Sequence, residues 1–330
     1  MLAVVLAGGC GSSGDESTTA EPPASEPTTE NATEVETPTS SEAPENDLEE
    51  VEEIEIPIEE VSGITISESG ELVQFTVIGD RSAELATADY SESSGIGEWE
   101  VSDLADYPDW GLGEDDSQLE AIAHAGGSTV ALLREDPPTV IVGDTATGEV
   151  IAEIALLVPN ESDLPGDDPS SRGEGLALLS EGRLLVAKEK DPPALFLFAP
   201  EGASAEVAPE DLLSVGSPWE SPTGAVAYEA VAVWELAGEA ADQLEDISDL
   251  AVGADGSLWL LSDESELLAR LALDQPLGPG DRIGDLVQVL DLPKVEGKPE
   301  GVVVLGEGRF LVVLDREAGK NNGVFVQLEN

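Results

Sequence analysis

An all-β fold, and within that class a β-propeller of five blades, is predicted by three features of the sequence. These are short apolar runs between turn residues, a hairpin repeat that aligns without gaps, and an apolar segment ahead of the first repeat that can close a ring. From Glu52 onward, Val-, Leu- and Ile-rich stretches recur between Gly, Pro, Asp and Ser, as in Leu184–Ala187, Leu195–Phe198, Leu258–Leu261 and Phe310–Leu314. Short apolar runs with such punctuation are strand signals, and no long 3.6-residue periodicity competes with them. One short helix is expected, over Ala237–Leu244. An all-β chain of this length forms a sandwich, a barrel or a propeller.

The repeat decides among these. Four segments align: Glu120 to Glu135, Glu174 to Glu189, Ser248 to Asp263 and Glu300 to Asp315, each running fifteen positions from a polar opening residue to an acid. Their centres fall on Gly127-Ser128, Glu181-Gly182, Asp255-Gly256 and Glu307-Gly308. Such pairs turn a hairpin tightly because Gly accepts positive φ without steric cost. Folding each segment about its turn sets the opening residue opposite the closing acid at one end of the hairpin. A longer copy runs from Ser62 to Asp80. The spacing leaves room for two further strands per copy, as in Thr139–Val142 and Val150–Leu157, and radially repeated four-stranded units are propeller blades. The last copy has only three strands, so Glu53–Ile58 is expected to supply the fourth. Five blades are counted; a sixth fits if the long interval after Glu174 hides a copy around Tyr228–Leu236.

Gly173-Glu-Gly-Leu-Ala with Val186-Ala-Lys-Glu-Lys-Asp-Pro192, Asp246-Ile-Ser-Asp-Leu-Ala with Leu260-Leu-Ser-Asp-Glu-Ser265, and Pro299-Glu-Gly-Val-Val occur in order. In these stretches the chain resembles the SdiA-regulated family of bacterial envelope proteins and, more loosely, esterase-like phytase domains, over about residues 52–330. The resemblance implies an extracytoplasmic propeller. The chain departs from it at Leu314-Asp-Arg-Glu-Ala-Gly-Lys320, where relatives tend to read Glu-Pro-Asn.

Charge excludes one class of function. The 330 residues carry 71 acids against 13 Lys and Arg, a formal charge of −58. Such a field repels phosphate backbones, which rules out nucleic-acid binding. Residues 11–60 hold 17 of the acids and no base, leaving 54 against 13 elsewhere. A folded domain with that imbalance repels itself unless counter-ions screen it. It is therefore expected either to be halophilic or to bind cations, and the two are compatible.

The start of the chain is read separately. Met1-Leu-Ala-Val-Val-Leu-Ala-Gly-Gly-Cys10 resembles the end of a bacterial lipoprotein signal, with Cys10 as the lipidated residue. No Lys or Arg precedes the apolar run, as a full signal requires, so residues 1–10 are read as a truncated signal peptide. Residues 11–50 are Ser-, Thr-, Pro- and Glu-rich and cannot bury enough apolar surface to order themselves, which predicts a disordered stalk ahead of a propeller over 51–330. The expectation is a monomer held at the cell envelope, at the cell surface or in the periplasm, by its lipid.

Hairpin geometry proposes the site. In a propeller the first strand of each blade lines the central channel, so Glu120, Glu174 and Glu300 converge at one mouth, with Ser62 and Ser248 from the other blades. These three acids are the expected metal ligands. Convergent carboxylates either raise their pKa values or bind a cation, and hard oxygen donors favour Ca²⁺ or Mg²⁺. Ca²⁺ is the candidate cofactor, and a structural role for the three acids is the alternative. Glu135, Glu189, Asp263 and Asp315 form a second, outer ring with Asp80, and Arg134 and Lys188 stand among the bases interleaved with it. These outer residues are the candidate ligand-binding set for a small ligand or envelope partner. Arg81, Lys190, Arg316 and Lys320 complete the group of bases, which serves either an ion-pair ring or recognition of a phosphate or carboxylate. A Ca-dependent phytase-like phosphoesterase is the enzymatic alternative. His124 is the sole His, leaving no triad, and Trp99, Trp110, Trp219, Trp234 and Trp259 read as packing residues. Asp163–Pro169 has a Ca²⁺-suggestive composition without EF-hand spacing.

Overall fold

The chain divides into residues Met1–Ala43 and Pro44–Asn330. The computed structural model describes residues 47–69, 72–112, 118–158, 173–273, 275–306, 308–316 and 320–329. Cys10, most of the stalk and Asp163–Pro169 lie outside them.

Each hairpin repeat becomes the inner half of a four-stranded antiparallel unit. The first unit contains β2 (Val61–Ser69), β3 (Leu72–Gly79) and β4 (Glu84–Ser91), with β5 (Gly95–Ile96) and β6 (Glu100–Asp103) both paired to β4. The second runs outward through β7 (Leu119–Gly126), β8 (Thr129–Arg134), β9 (Thr139–Asp144) and β10 (Glu149–Leu157). The third holds β11 (Gly175–Leu178), β12 (Leu184–Lys188), β13 (Ala194–Ala199) and β14 (Gly224–Glu235). The fourth holds β15 (Asp249–Val252), β16 (Leu258–Ser262), β17 (Leu267–Leu271) and β18 (Leu286–Asp291). The last comprises β19 (Lys298–Gly306), β20 (Arg309–Asp315), β21 (Gly323–Leu328) and, on its outer edge, β1 (Leu48–Ile54) from the start of the described chain. The stretch around Tyr228–Leu236 is thus mostly the outer strand of the third unit rather than a sixth copy.

The units form a ring. Inner strands touch in cyclic order, β2 against β7, β7 against β11, β11 against β15, β15 against β19, and β19 against β2. Five apolar clusters fill the five interfaces. In the interface between the third and fourth units, Leu185, Leu197 and Trp234 pack against Leu250, Leu258 and Leu260. Both faces of each sheet are covered, which is why the strands read as continuous apolar runs rather than as alternating ones. This is the β-propeller architecture. The expected helix is present as α1 (Gly238–Gln243). Four of the five tryptophans donate their indole N–H to a backbone or hydroxyl oxygen in these interfaces or beside them, at 2.8–3.2 Å.

Three details differ from the sequence expectation. The closing strand is β1, so it begins at Leu48, inside the expected stalk, and ends before Ile58. Ile56 and Ile58 instead bury their side chains between the first and last units. There the buried Asn322 amide accepts from the Ile56 N–H and donates to the Ile56 and Ile58 carbonyls, at 2.6–3.1 Å. Second, the hairpin registers are shifted by about one residue. β7 pairs Leu119 with Arg134 and Ala121 with Leu133, leaving Glu120 in a β-bulge. β2 and β19 bulge at Ser62 and Glu300 in the same way. A bulged residue is left out of the ladder and the strand bends there. Third, β10 pairs parallel to β14, which joins the second and third units into one eight-stranded sheet.

Candidate functional site

The central channel is lined by three consecutive residues from each inner strand, such as Ile64-Thr65-Ile66 and Val302-Val303-Val304, and by Leu213-Ser214-Val215. Its volume is about 70 Å³, enough for a few water molecules. Leu213 is tied to the far end of β11 by its N–H, which donates to the Leu178 carbonyl at 3.1 Å, so this segment caps one end. The acids that open the repeats gather at the other end.

That mouth is built by backbone proximity. A Cβ on Gly175 would lie 2.7 Å from the Leu250 nitrogen, and one on Gly301 would lie 3.2 Å from the Gly63 Cα. Glycine follows the opening residue in three of the five inner strands, at Gly63, Gly175 and Gly301, where neighbouring strands approach almost backbone to backbone, and Gly63 lies against Ala121 in the same way. This close approach draws together the glutamates one position earlier. Glu120 is largely buried and its pKa is pushed up to about 8, by burial first and then by the charges of Asp80, Glu135 and Glu300. Glu174 lies well above the usual carboxylate range, through burial and then Glu120, Glu189 and Glu300. Burial and the charges of Asp263 and Asp315 push Glu300 up to about 7, against the opposing pull of Lys298. Glu300 thus acts on Glu120, both act on Glu174, and each of the three also feels the acid that closes its own hairpin.

Ser62 and Ser248 do not join this set. Ser62 donates to the Leu119 carbonyl at 2.5 Å and Ser248 to the Leu261 carbonyl at 3.4 Å, which bind the strands rather than face a ligand. In the fourth unit the acid at the inner strand is Asp249, one residue later. It is buried, accepts from the Val302 N–H of the next unit at 2.8 Å, and is pushed well above the usual range by burial.

The outer ring is heterogeneous. Asp263 lies beside the cluster, its pKa raised by burial. Asp315 is exposed, while Glu135 and Glu189 are half-buried. Arg134 points to Glu153 at 3.9 Å, away from the inner acids. Lys188 is buried, and its ammonium donates to the Lys190 and Pro192 carbonyls, where it holds the turn after β12. Three further bases pair with acids: Arg81 with Glu60, Lys190 with Glu189 and Glu264, and Arg316 with Glu53. His124 Nε2 lies 3.1 Å from the Gly127 carbonyl, consistent with a strand residue.

Sequence reasoning missed Lys298. Its ammonium lies 2.9 Å from Glu300 and 3.5 Å from Asp263. Burial works against its charge, but Glu300, Asp263 and Glu189 outweigh that and raise its pKa. Lys298 is two positions before Glu300, and strand periodicity could have set both on one face. It supplies an internal cation on one side of the mouth and leaves Glu120 and Glu174 facing each other without one as close. Among the described residues, no group of three or more His, Cys, Asp or Glu side chains is arranged to hold a metal ion. The donor chemistry at the mouth, carboxylate oxygen without thiolate or imidazole, is nevertheless that of a hard cation.

No family model and no curated protein matches the chain. Among solved structures, it is similar to a streptogramin B lyase, at 12% identity over 86% of this chain and 97% of that one, with a TM-score of 0.41. It is similar to a calcium-binding protein, regucalcin, from Agrobacterium tumefaciens str. C58, at 15% identity over 82% and 90% with a TM-score of 0.40. The third is virginiamycin B lyase from Staphylococcus aureus, at 11% identity over 86% and 89% with a TM-score of 0.40. Likenesses this distant lend no weight to the chemistry of the site. The fold rests on the sheets, the ring of inner strands and the five interface clusters.

Proposed function

We propose that this chain is an extracytoplasmic propeller, lipid-anchored through Cys10 and related to the SdiA-regulated envelope proteins, whose acid-lined channel mouth binds a divalent cation. Ca²⁺ is the first candidate, with a small ligand or envelope partner bound beside it. One observation carries this reading: Glu120, Glu174 and Glu300, from three units, are all largely buried at one mouth, where Glu300 raises the pKa of Glu120 and both of these raise that of Glu174. Such a group must carry protons or a cation at neutral pH. Glu120 and Glu174 would be the principal ligands, because Lys298 already neutralises Glu300 in part.

A second reading is a metal-dependent phosphoesterase of the phytase-like kind. Lys298 and Lys190 favour it, since a phosphate ester held by a divalent cation would meet positive charge at the same rim. Phosphate release from phytate and p-nitrophenyl phosphate, with Ca²⁺ and with chelator, separates the two readings. Metal binding with no turnover supports the binding protein. Ca²⁺-dependent release that is lost in Glu174→Gln establishes the enzyme.

A further inference from the structure

A second cleft lies at the opposite end of the channel, between the first and last units. Ile66, Val73, Val215, Val304 and Leu305 form its apolar walls, and it encloses about 170 Å³. A dry cavity of about 150 Å³ accommodates a benzene ring. Arg309 enters it from the start of β20. Its guanidinium donates to the Tyr90 hydroxyl and pairs with Glu92 at 3.0 Å.

The two contacts of Arg309 differ in firmness. Tyr90 is buried, its ring centred 5.3 Å from Phe75 and 5.5 Å from Phe325. It fixes one side of the guanidinium, and because its oxygen accepts from Arg309, its own proton is available to a ligand. Glu92 is 79% exposed, and a surface pair of that kind contributes little. It can exchange Arg309 for another cation at small cost. Glu68 stands exposed at the same rim. The cleft thus combines one anchored cation, two exposed carboxylates and an apolar pocket.

Net charge narrows the ligand class. A chain of charge −58 repels anions at long range. A simple cation would be drawn in but would meet Arg309 at the floor. A zwitterion escapes the far field while satisfying both local charges. We propose that this cleft binds an apolar α-amino acid of about leucine or phenylalanine size. Its carboxylate accepts from Arg309 and the Tyr90 hydroxyl. Its ammonium donates to Glu92, which swings from Arg309, and to Glu68. Its side chain fills the apolar walls.

Isothermal titration of the full chain with L-leucine and L-phenylalanine tests this, in chelator so that the acidic mouth plays no part. Saturable binding is expected. Leucinamide, which lacks the carboxylate, and N-acetyl-leucine, which lacks the ammonium, should bind at least about tenfold more weakly, the loss typical of one charge-assisted hydrogen bond. Glycine, with no side chain, should not bind. Arg309→Met should weaken leucine binding by at least about tenfold. The exposed Glu92→Gln, which leaves the core untouched, should weaken it severalfold. The proposal is overturned if neither amino acid binds the wild-type chain up to tens of millimolar. Equal binding of leucinamide, or binding indifferent to Glu92→Gln, would also overturn it.

Discussion

At the level of single residues, the acids of the mouth couple the protein to pH. Glu120 and Glu300 titrate near 8 and 7 in the folded chain, above the ordinary 4.5. Between those values the folded state binds more protons than the unfolded state, so stability falls as pH rises. In chelator, the melting temperature should therefore drop from pH 5 to pH 9. Glu120→Gln, which removes one charge and keeps the shape, should flatten that slope and gain on the order of a few kcal/mol at pH 9, with little change at pH 5. A slope unchanged by the substitution would show that Glu120 does not carry the raised pKa. Lys298 should behave in the opposite sense. Lys298→Met leaves Glu300 and Asp263 without their nearest cation and should cost about 1–2 kcal/mol at pH 8, a figure discounted because the lysine side chain is 42% exposed. Chemical denaturation with and without Ca²⁺ checks this, and added Ca²⁺ should recover part of the loss. The repeat made Glu120, Glu174 and Glu300 legible in the sequence, because equal spacing from a hairpin turn sets equal height in the ring. Lys298 and Asp249 were not legible. Lys298 precedes its repeat copy and Asp249 sits one residue past the opening position of its own, and their roles depend on which neighbouring unit lies opposite.

At the scale of elements, the hairpins were readable and their registers were not. Turn glycines fixed the reversals, and Gly182 and Gly256 do adopt positive φ, 69° and 77°. The bulges at Ser62, Glu120 and Glu300 came from packing between inner strands, which no local pattern encodes. Leu119 and Ile122 pack on one interface while Ala121 and Ala123 pack on the next, a division that strict alternation forbids and a bulge permits. The parallel join of β10 to β14 likewise follows from tertiary contact alone. Close strand approach has a measurable consequence. Gly175→Val would drive a Cβ into Leu250 and should cost about 1–3 kcal/mol in urea unfolding, the usual penalty for overpacking. Gly284→Ala, with no neighbour nearer than 4.0 Å, should stay within about 0.5 kcal/mol. Equal effects at both positions would contradict the backbone-to-backbone mouth.

For the whole molecule, the ring explains how scattered acids come to share one place. Five units present the same strand end to a common axis, and three of them place a glutamate there, at positions far apart in the sequence. The same chain carries a net −58. Its melting temperature should keep rising as NaCl or KCl goes from tens of millimolar towards about 1 M, where the Debye length is only ~3 Å. A flat curve would count against adaptation to salt. Specific cation binding must be separated from that general screening, and fixed ionic strength does so. The decisive measurement is a Ca²⁺ titration followed by thermal unfolding at constant ionic strength near pH 8, on the wild-type chain and on Glu120→Gln, Glu174→Gln and Asp315→Asn. A ligand bound only by the folded state stabilises by mass action. The wild-type melting temperature should rise with Ca²⁺, the increment should vanish in Glu120→Gln and Glu174→Gln, and the exposed outer Asp315→Asn should retain most of it. No Ca²⁺ increment in the wild type, or an equal loss from all three substitutions, would contradict a discrete cation site at the channel mouth.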